Sequence, residues 1–278
     1  MVKISDLIFY GADRLKNIAD SPRAESRILL SHALSVDATE ILLYPEREVP
    51  DDKAEDFKNY IKERTHHKPI AYITGKKDFF GMAFQVNKHT LIPRPETEMV
   101  VEEILASGKK VLLDLCTGSG CIPIAAAANS EITAHGVDIS SGAVSVACQN
   151  AVHHNLSQKV TFEVADVFEK DFFGMFDVIS SNPPYITDAD MLTLPADVAN
   201  FEPHSALAGG RDGLMFYRRI ADISPQNLKP KGMLIFEVGI NEGDSVAKIM
   251  ENNFTDIKIK KDLAGIDRVV TGILKRRT

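Results

Sequence analysis

The chain has 278 residues, of which 44% are hydrophobic and 26% charged, and its formal net charge is −7 at pH 7. This length accommodates one large domain or two smaller ones, each with a well-formed core. The acidic balance argues against binding of nucleic acid through a basic surface, and the lack of a run of about 18 apolar residues argues against a membrane span.

Residues 1–72 carry apolar side chains at helical spacing. Ile4, Leu7 and Leu15 fall on one face of the first predicted helix. No strand-like alternation interrupts this region, so we expect an all-α N-terminal domain. Residues 73–90 differ, because Phe79-Phe80-Gly81 separates two short apolar runs. We interpret this segment as a β-hairpin or an extended linker.

Residues 91–278 alternate between predicted strands and predicted helices. This alternation predicts an α/β fold, with a seven-stranded, mostly parallel sheet that carries helices on both faces. In such sheets, ligands bind at the carboxyl ends of the strands. The predicted strands are 110–115, 133–138, 159–164, 175–181, 232–238, 255–260 and 267–274.

A glycine-containing turn joins the first of these strands to the next helix. In Asp114-Leu-Cys-Thr-Gly-Ser-Gly120, the two glycines permit a tight turn and a close approach of the backbone to a ligand. The next strand ends on Asp138, whose carboxylate can accept both hydroxyls of a ribose. The pair of features predicts a nucleoside cofactor without distinguishing which one.

Details of the turn favour one class of cofactor. A dinucleotide-binding turn requires a third glycine, whereas Pro123 stands near its place and argues against an NAD oxidoreductase. The form D-x-x-T-G-S-G resembles instead the first motif of the S-adenosylmethionine-dependent methyltransferases, which have a Rossmann-like fold. Asp166 follows the third strand, where that family places a contact to the adenine amino group.

Asn182-Pro-Pro-Tyr185 follows the fourth predicted strand. Two prolines end the strand and hold the neighbouring carbonyl groups in fixed positions. If the side chain of Asn182 and the carbonyl of Pro183 both accept from one planar NH2 group, the nitrogen is anchored and its lone pair can turn toward a methyl donor. Tyr185 offers a flat face for stacking. This motif alone fits a nucleobase amine or a glutamine amide.

Nearly the whole chain resembles the methyltransferases that modify glutamine of peptide chain release factors at N5. The resemblance implies S-adenosylmethionine as the cofactor, the glutamine of a Gly-Gly-Gln motif as the substrate, and a helical N-terminal domain that recognises the release factor. The motifs that carry it are Lys68-Pro-Ile-Ala-Tyr-Ile-Thr-Gly75, Phe79-Phe-Gly81, Leu91-Ile-Pro-Arg-Pro-Glu-Thr-Glu98, Asp114-Leu-Cys-Thr-Gly-Ser-Gly120, Ser181-Asn-Pro-Pro-Tyr-Ile186, Phe201-Glu-Pro-His-Ser-Ala-Leu207, Gly209-Gly-Arg-Asp-Gly213, Phe236-Glu-Val-Gly239 and Asp267-Arg-Val-Val270.

The resemblance also implies roles for single residues. The family commonly has glycine at the position of Cys116 and often a large aromatic residue near Val167, where this chain offers Phe168. The implied contacts are the methionine part of the cofactor for Cys116, Thr117, Gly118, Ser119 and Gly120, the ribose for Asp138, the adenine for Asp166 and Val167, both cofactor and substrate for Asn182, and the glutamine for Pro183, Pro184 and Tyr185.

Two further hypotheses compete with this interpretation. An adenine-N6 methyltransferase of DNA or RNA uses a similar Asn-Pro-Pro-Tyr motif, but the helical domain here is not notably basic. A non-catalytic module that binds a release factor would not need an intact glycine turn and Asp138. We therefore expect a protein substrate and no direct nucleic-acid substrate.

The cysteines and the N-terminal residues indicate the compartment. Cys116, Cys121 and Cys148 form no CxxC pair, which predicts neither a disulfide framework nor a zinc site. The first residues carry Asp6 and Asp13 and lack a small-residue cleavage site, so we expect no signal peptide. These features predict a cytoplasmic protein without a bound metal, and we expect a monomer.

Overall fold

A computed structural model describes residues 2–169 and 174–276 of the chain. The chain divides into two compact units. The residues up to Gly75 and the segment Pro195–Phe201 form the first, helical unit. Lys76–Leu194 and the residues from Glu202 onward form the second unit, which contains the large sheet.

The helical unit buries one apolar face of each of its longer helices. Leu7 and Leu15 of the first helix pack in one core with Leu29, Phe57 and Ile61 from later helices. The helices are α1 (Ile4–Leu15), α2 (Pro22–Leu34), α3 (Ala38–Leu43), α4 (Asp51–Thr65), α5 (Ile70–Thr74) and α9 (Ala196–Phe201).

Two details of this unit differ from the sequence-based prediction. A short antiparallel strand pair, β1 (Val2–Lys3) and β2 (Glu48–Val49), stands where only helices were expected. Two residues are too few to show an alternating pattern. Residues 73 and 74, assigned to the linker, belong to α5, which Pro69 begins and Gly75 ends with a left-handed φ of 72°.

The β-hairpin expected from the sequence lies at the start of the second unit. Its strands are β3 (Lys76–Phe79) and β4 (Met82–Gln85), joined by Phe80 and Gly81. Both turn residues have positive φ, 51° and 72°, as a two-residue turn of type I′ requires. Phe80 adopts this conformation although it is not glycine, and its backbone N–H donates to the carboxylate of Glu98 at 2.7 Å.

The second unit contains the seven-stranded, mostly parallel sheet that the sequence predicts. The strand order is β12-β13-β11-β8-β5-β6-β7, and β13 alone runs antiparallel to its two neighbours in this sheet. The strands are β5 (Val111–Leu115), β6 (Thr133–Asp138), β7 (Val160–Val164), β8 (Phe176–Ser181), β11 (Leu228–Glu237), β12 (Phe254–Lys261) and β13 (Asp267–Leu274).

Helices cover both faces of this sheet, and each face has its own apolar core. Val100 and Ile124 lie in the core of one face, and Tyr217 and Met250 lie in the core of the other. The helices are α6 (Glu98–Ala106), α7 (Cys121–Ala128), α8 (Ser141–His153), α10 (Met215–Asn227) and α11 (Gly243–Met250). The predicted α/β fold class is therefore confirmed.

The order in which the chain adds strands reverses at the centre of the sheet. From β5 the chain adds β6 and β7 on one side, and it then returns to place β8 on the other side of β5. The loops that follow β5 and β8 therefore diverge and leave a crevice at the carboxyl edge of the sheet. Within the described residues, no helix combines the length and apolar character that spanning a membrane requires.

Candidate active site

A cavity of about 340 Å³ opens at the carboxyl edge of the sheet. The segments that follow four neighbouring parallel strands line it: residues 116–119 after β5, 138–140 after β6, 165–168 after β7, and Asn182 with Pro184 after β8. Further wall residues come from 89–97 and from the start of α10. The predicted position of the ligand site in the fold therefore coincides with a real cavity.

The glycine turn after β5 depends on left-handed backbone conformations. Cys116, Gly118 and Gly120 have φ of 61°, 56° and 77°. A side chain at Gly120 would also collide with the ring of Phe162, 2.8 Å from the position of its Cβ. Glycine is required at position 120 for both reasons. Cys116, in contrast, carries a side chain and adopts a conformation that L-residues rarely take.

A buried carboxylate ties this turn to the strand that leads to Asn182. Asp114 is fully buried in β5 and accepts from the hydroxyl of Thr117 in the turn and from that of Ser180 in β8, both at 2.6 Å. Burial raises the pKa of Asp114 to about 7, against the lowering effect of the two hydroxyl donors. Asp114 does not line the cavity and acts by holding Thr117 and Ser180 in place.

A buried amide fixes the other side of the turn. The Nδ2 group of Asn150 in α8 donates to the carbonyl of Ser119 at 2.9 Å and to the carbonyl of Gln85 at 3.1 Å. Its Oδ1 accepts from the backbone N–H of Gln85 at 2.8 Å. One side chain thus joins the glycine turn, α8 and the hairpin strand β4.

Asp138 ends β6 at the cavity and retains capacity to bind a ligand. Its Oδ2 accepts from the N–H of Gly118 at 2.8 Å, and its Oδ1 accepts from the N–H of Ser140 at 2.9 Å. Each carboxylate oxygen has two lone-pair positions, so each can accept one more hydrogen bond. Burial raises the pKa of Asp138, and the two backbone donors oppose this effect.

Aromatic and apolar side chains form the wall beyond Asp138. Asp166 lies after β7 and accepts from the N–H of Phe168 at 2.8 Å through Oδ1, which leaves Oδ2 available to a ligand donor. Val167 is buried at the wall, and the exposed ring of Phe168 packs edge-on against Phe216 with centroids 5.1 Å apart. Phe168 and Phe216 both line the cavity, so aromatic side chains are present beside Val167.

Asn182 is hydrogen-bonded to Thr97, and both residues line the cavity. The Nδ2 group of Asn182 donates to the hydroxyl of Thr97 at 3.3 Å. Thr97 lies close enough to the carboxylate of Glu237, at the end of β11, to lower its pKa. Thr97 and Glu237 are both buried, and burial raises the pKa of Glu237 to about 7. One of the two N–H groups of this amide is thus engaged, and the Oδ1 of Asn182 remains available as an acceptor.

The two residues that flank Pro184 lie beside the cavity instead of on its lining. Pro183 is buried, and Tyr185 is packed among apolar side chains near Gly239 and Gly209. A Cβ at Gly209 would come within 2.6 Å of the Tyr185 backbone, so the chain there passes tightly against the motif. Burial raises the pKa of Tyr185 to about 12, so its hydroxyl remains protonated at neutral pH.

A small parallel strand pair fixes the exit from the motif. The strands are β9 (Ile186–Thr187) and β10 (Ala208–Gly210). The N–H of Ile186 donates to the carbonyl of Leu207 at 2.9 Å. Neither strand was predicted, because two- and three-residue strands carry no periodic signal.

The predicted site residues thus collect at one edge of the sheet. Within the described part of the chain, the cavity lining includes all of them except Gly120, Pro183 and Tyr185. Sequence reasoning assigned no role to Asp114, Thr97 or Glu237, although all three lie inside quoted motifs, and it did not single out Asn150. Thr97 and Asn150 bond to partners far away in the sequence, so no local spacing marks them, whereas Asp114 has one partner, Thr117, only three residues away and the other, Ser180, 66 residues away.

This constellation fits S-adenosylmethionine. Three features of the cavity match the three parts of this cofactor. They are a carboxylate with free lone pairs for the ribose, an aromatic wall for the planar base, and a glycine turn that is open toward the cavity at Gly118 for the methionine part. The methyltransferase domain family matches residues 106–270, and the PrmC N-terminal domain family matches residues 6–75. The fold and the site therefore define an S-adenosylmethionine-dependent methyltransferase.

Similarity over the whole chain narrows the class. A release factor glutamine methyltransferase of Clostridium acetobutylicum is 38% identical over 98% of this chain and 99% of its own length. One of Nitratidesulfovibrio vulgaris is 37% identical over 90% of this chain and 88% of its own. The chain belongs to the release factor glutamine methyltransferase family, as its motifs indicated.

Solved structures support the fold alone. A methyltransferase from Pyrococcus furiosus is 16% identical with a TM-score of 0.53, covering 78% of this chain and 98% of its own. The catalytic domain of hMettl16 in complex with a MAT2A 3′UTR hairpin is also 16% identical, with a TM-score of 0.56, covering 69% of this chain and 76% of its own. At this identity the RNA of the second structure says nothing about the substrate of this chain.

Proposed function

We propose that this chain transfers a methyl group from S-adenosylmethionine to the side-chain nitrogen N5 of the glutamine in the Gly-Gly-Gln motif of peptide chain release factors, and so supports translation termination. The observation that carries this proposal is the orientation of Asn182. Its Nδ2 group donates to Thr97 and the residue lines the cavity, so the Oδ1 of Asn182 is available there as an acceptor. An acceptor at this place suits a planar NH2 group, and the names of the curated relatives support glutamine as its source.

When bound, S-adenosylmethionine supplies the methyl group, whose positively charged sulfur makes it an electrophile. Asp138 accepts the ribose hydroxyls through the lone pairs that its backbone donors leave free. Asp166 accepts from the adenine amino group through Oδ2, beside Val167 and the ring of Phe168. Cys116, Thr117, Gly118 and Ser119 of the glycine turn line the cavity and would hold the methionine part, and Gly120 would support them from the end of the turn.

The Asn-Pro-Pro-Tyr motif prepares the nitrogen of the substrate. The Oδ1 of Asn182 and the carbonyl of Pro183 each accept one hydrogen bond from the glutamine NH2 group. The nitrogen is then held in place, and its lone pair is released from conjugation with the carbonyl. The prolines keep both acceptors rigid, so little reorganisation is needed at the reacting centre. Pro184, which lines the cavity, would contact the planar amide, and Tyr185 would support the motif from beside the cavity.

The helical unit is the part of the chain that we assign to recognition of the release factor, with residues 1–72 as the predicted domain. Support comes from apolar side chains left in solvent: Phe9, Leu42 and Tyr44 are more than half exposed. Phe9 and Leu42 lie together in the lining of one surface cavity with Ile8 and Ile41, and a contiguous exposed apolar patch is a feature of protein-binding surfaces. The match of residues 6–75 to the PrmC N-terminal domain is consistent with this assignment.

We further propose a cytoplasmic monomer that acts on protein and has no direct nucleic-acid substrate. Release factors work at the ribosome, so their modification requires the same compartment. The formal net charge of −7 opposes adhesion to a phosphate backbone. The glutamine hypothesis accounts for each described feature of the cavity, so none of these features favours the adenine-N6 alternative.

Transfer of a labelled methyl group to a purified release factor tests the proposed function. We expect one added methyl group on the glutamine of the Gly-Gly-Gln motif, located by mass spectrometry, and none on a matched Gly-Gly-Ala variant. Oligonucleotides of DNA and RNA that contain adenine serve as the competing substrates. Label on adenine together with an unmodified release factor would reverse the assignment.

A further inference from the structure

We propose that a groove on the helical unit is the docking site for a segment of the release factor that carries carboxylates beside an apolar side chain. The groove has a volume of about 320 Å³, and its lining combines four apolar residues with two arginines. This inference rests on the proposed function, in which a release factor is the substrate, and it adds the chemistry of the segment that docks. The residues that define this basic groove are Ile8, Phe9, Arg23, Arg27, Ile41 and Leu42.

Two helices supply the apolar side chains of the basic groove. Ile8 and Phe9 belong to α1, and Ile41 and Leu42 belong to α3. Ile41 is buried, whereas Phe9 is 71% and Leu42 58% exposed. Single exposed apolar side chains are common on protein surfaces, but these converge on one concavity and stay hydrated until a partner covers them. A volume near the lower end of ligand pockets, about 300–1,000 Å³, suits one or two inserted side chains.

Arg23 and Arg27 form the basic side of the groove. They are four residues apart and therefore neighbours on the surface of α2. The Nε group of Arg27 donates to the carbonyl of Arg23 at 3.2 Å, which holds the Arg27 side chain along its own helix. Among the residues that the structure describes, no carboxylate forms an ion pair with either guanidinium group. Most of their N–H groups are therefore available to a partner.

Carboxylates close to the groove in sequence are engaged with other cations. Glu25, which lies between the two arginines in α2, bonds Arg64 at 2.8 Å. Glu40, which precedes Ile41 in α3, bonds Arg47 at 2.6 Å. Two positive charges thus remain uncompensated at this groove, although the formal net charge of the chain is −7. Carboxylates of a partner complement them, and an arginine can bond a carboxylate through two parallel N–H groups.

The composition of the groove favours a protein segment over a nucleic acid. A phosphate backbone is bound by many cations spread along a surface, whereas only two arginines stand here beside four apolar side chains. A protein segment satisfies both parts of the groove, since its apolar side chain fills the concavity and its carboxylates pair with the arginines. Arginine and aromatic residues, here Arg23, Arg27 and Phe9, are enriched at protein–protein interfaces.

Charge reversal in the full-length protein tests this inference. We expect the double variant Arg23→Glu and Arg27→Glu to raise KM for the release factor about tenfold at unchanged kcat, because repulsion replaces attraction at the groove. The double variant Arg23→Lys and Arg27→Lys keeps both charges and should keep most of the affinity. The matched control, Lys58→Glu with Lys62→Glu, reverses two exposed charges of α4 at the same spacing outside the groove and should leave KM unchanged.

A short peptide that contains Gly-Gly-Gln separates docking from chemistry, because it carries the reacting glutamine without the docking segment. The charge-reversed variant should methylate this peptide at the unaltered rate, while calorimetry without S-adenosylmethionine should show about tenfold weaker binding of the intact release factor. High salt should weaken binding by the unaltered protein and narrow the difference between the two proteins, since the arginines are solvent-accessible.

Three results would overturn the inference. They are equal binding of the intact release factor by the unaltered and charge-reversed proteins, an equal loss of activity on the short peptide, and a charge-reversed variant that instead loses binding of RNA or self-association. If the unaltered protein binds the release factor through the groove but methylates none of its glutamines, the proposed function fails while the docking site stands.

Discussion

Asn150 and Ser119 are joined by a buried hydrogen bond of 2.9 Å from side-chain Nδ2 to backbone carbonyl, across 31 residues of sequence. The same side chain holds the N–H and the carbonyl of Gln85. The conformation of the glycine turn is therefore supported from outside the turn, by a helix and a hairpin that have no contact with the cavity at that point.

Asn150→Ala should destabilise the protein and weaken cofactor binding together. Three backbone groups, two on Gln85 and one on Ser119, would be left without their partner. An unpaired buried group costs about 1–3 kcal/mol, which applies to the Ser119 carbonyl, and the two part-buried groups of Gln85 cost less because water can reach them, so we expect the free energy of unfolding to fall by about 2–5 kcal/mol. Chemical denaturation and calorimetry with S-adenosylmethionine measure the two effects, and Gln149→Ala, the exposed neighbour, should leave both unchanged.

Asp138→Ala should lower the affinity for S-adenosylmethionine at least about tenfold, because it removes a charged acceptor of the ribose hydroxyls. Glu131→Ala, two residues before the start of the same strand and with a side chain 86% exposed, is the control. Burial raises the pKa of Asp138, so affinity should decline on acidification from a higher pH than an ordinary aspartate would give. Unchanged calorimetric binding in Asp138→Ala would contradict the assignment.

Cys116→Gly should stabilise the protein by about 0.5–1 kcal/mol. Relief of the left-handed conformation, with φ of 61°, outweighs the extra freedom that glycine gives the unfolded chain. The same substitution at Cys148, an exposed helical position in α8, should destabilise by about 1 kcal/mol. Thermal unfolding of both variants decides, since the predicted changes have opposite sign.

Asn182→Ala should lower kcat about 10²–10³-fold, because it deletes a rigid acceptor at the reacting nitrogen. Asn182→Asp should also be impaired, since its carboxylate cannot donate to Thr97 and adds a charge near Glu237. Single-turnover transfer from saturating S-adenosylmethionine is the measurement. Turnover of the alanine variant near the unaltered rate would show that the acceptor lies elsewhere.

Replacing exposed apolar residues of the helical unit should weaken binding of the release factor without affecting the chemical step. We expect the double variant Phe9→Ser and Leu42→Ser to raise KM for the release factor about tenfold at unchanged kcat. Leu263→Ser, which alters an exposed apolar residue of the second unit, is the control. An equal KM for both variants would remove the recognition role from this surface.

The features that could be predicted from the sequence are those encoded by neighbouring residues. The glycine turn, Asp138 at a strand end and the Asn-Pro-Pro-Tyr motif each have a fixed local spacing, and the alternation of strands and helices defined the sheet. Pairings over long separations could not be predicted. Thr97 and Asn182 are 85 residues apart, and nothing local to either of them indicates the other.

The same reason explains the remaining differences. The strand pairs β1–β2 and β9–β10 are too short to show alternation, and their existence depends on which segments meet in space. Glu237 lies within the predicted strand 232–238, and nothing local in that strand indicates that its end comes close to Thr97, in the turn before α6.

Asp114 gives the enzyme a fixed internal spacing. The two carboxylate oxygens of Asp114 bond Thr117 of the cofactor turn and Ser180, two residues before Asn182. One side chain therefore fixes the distance between the cofactor side and the substrate side of the site. If the cofactor turn or the end of β8 moves, the Asp114 side chain passes that movement to the other segment. A search for variants with impaired cofactor binding should therefore also recover losses of substrate alignment at residue 114, a position that touches neither molecule.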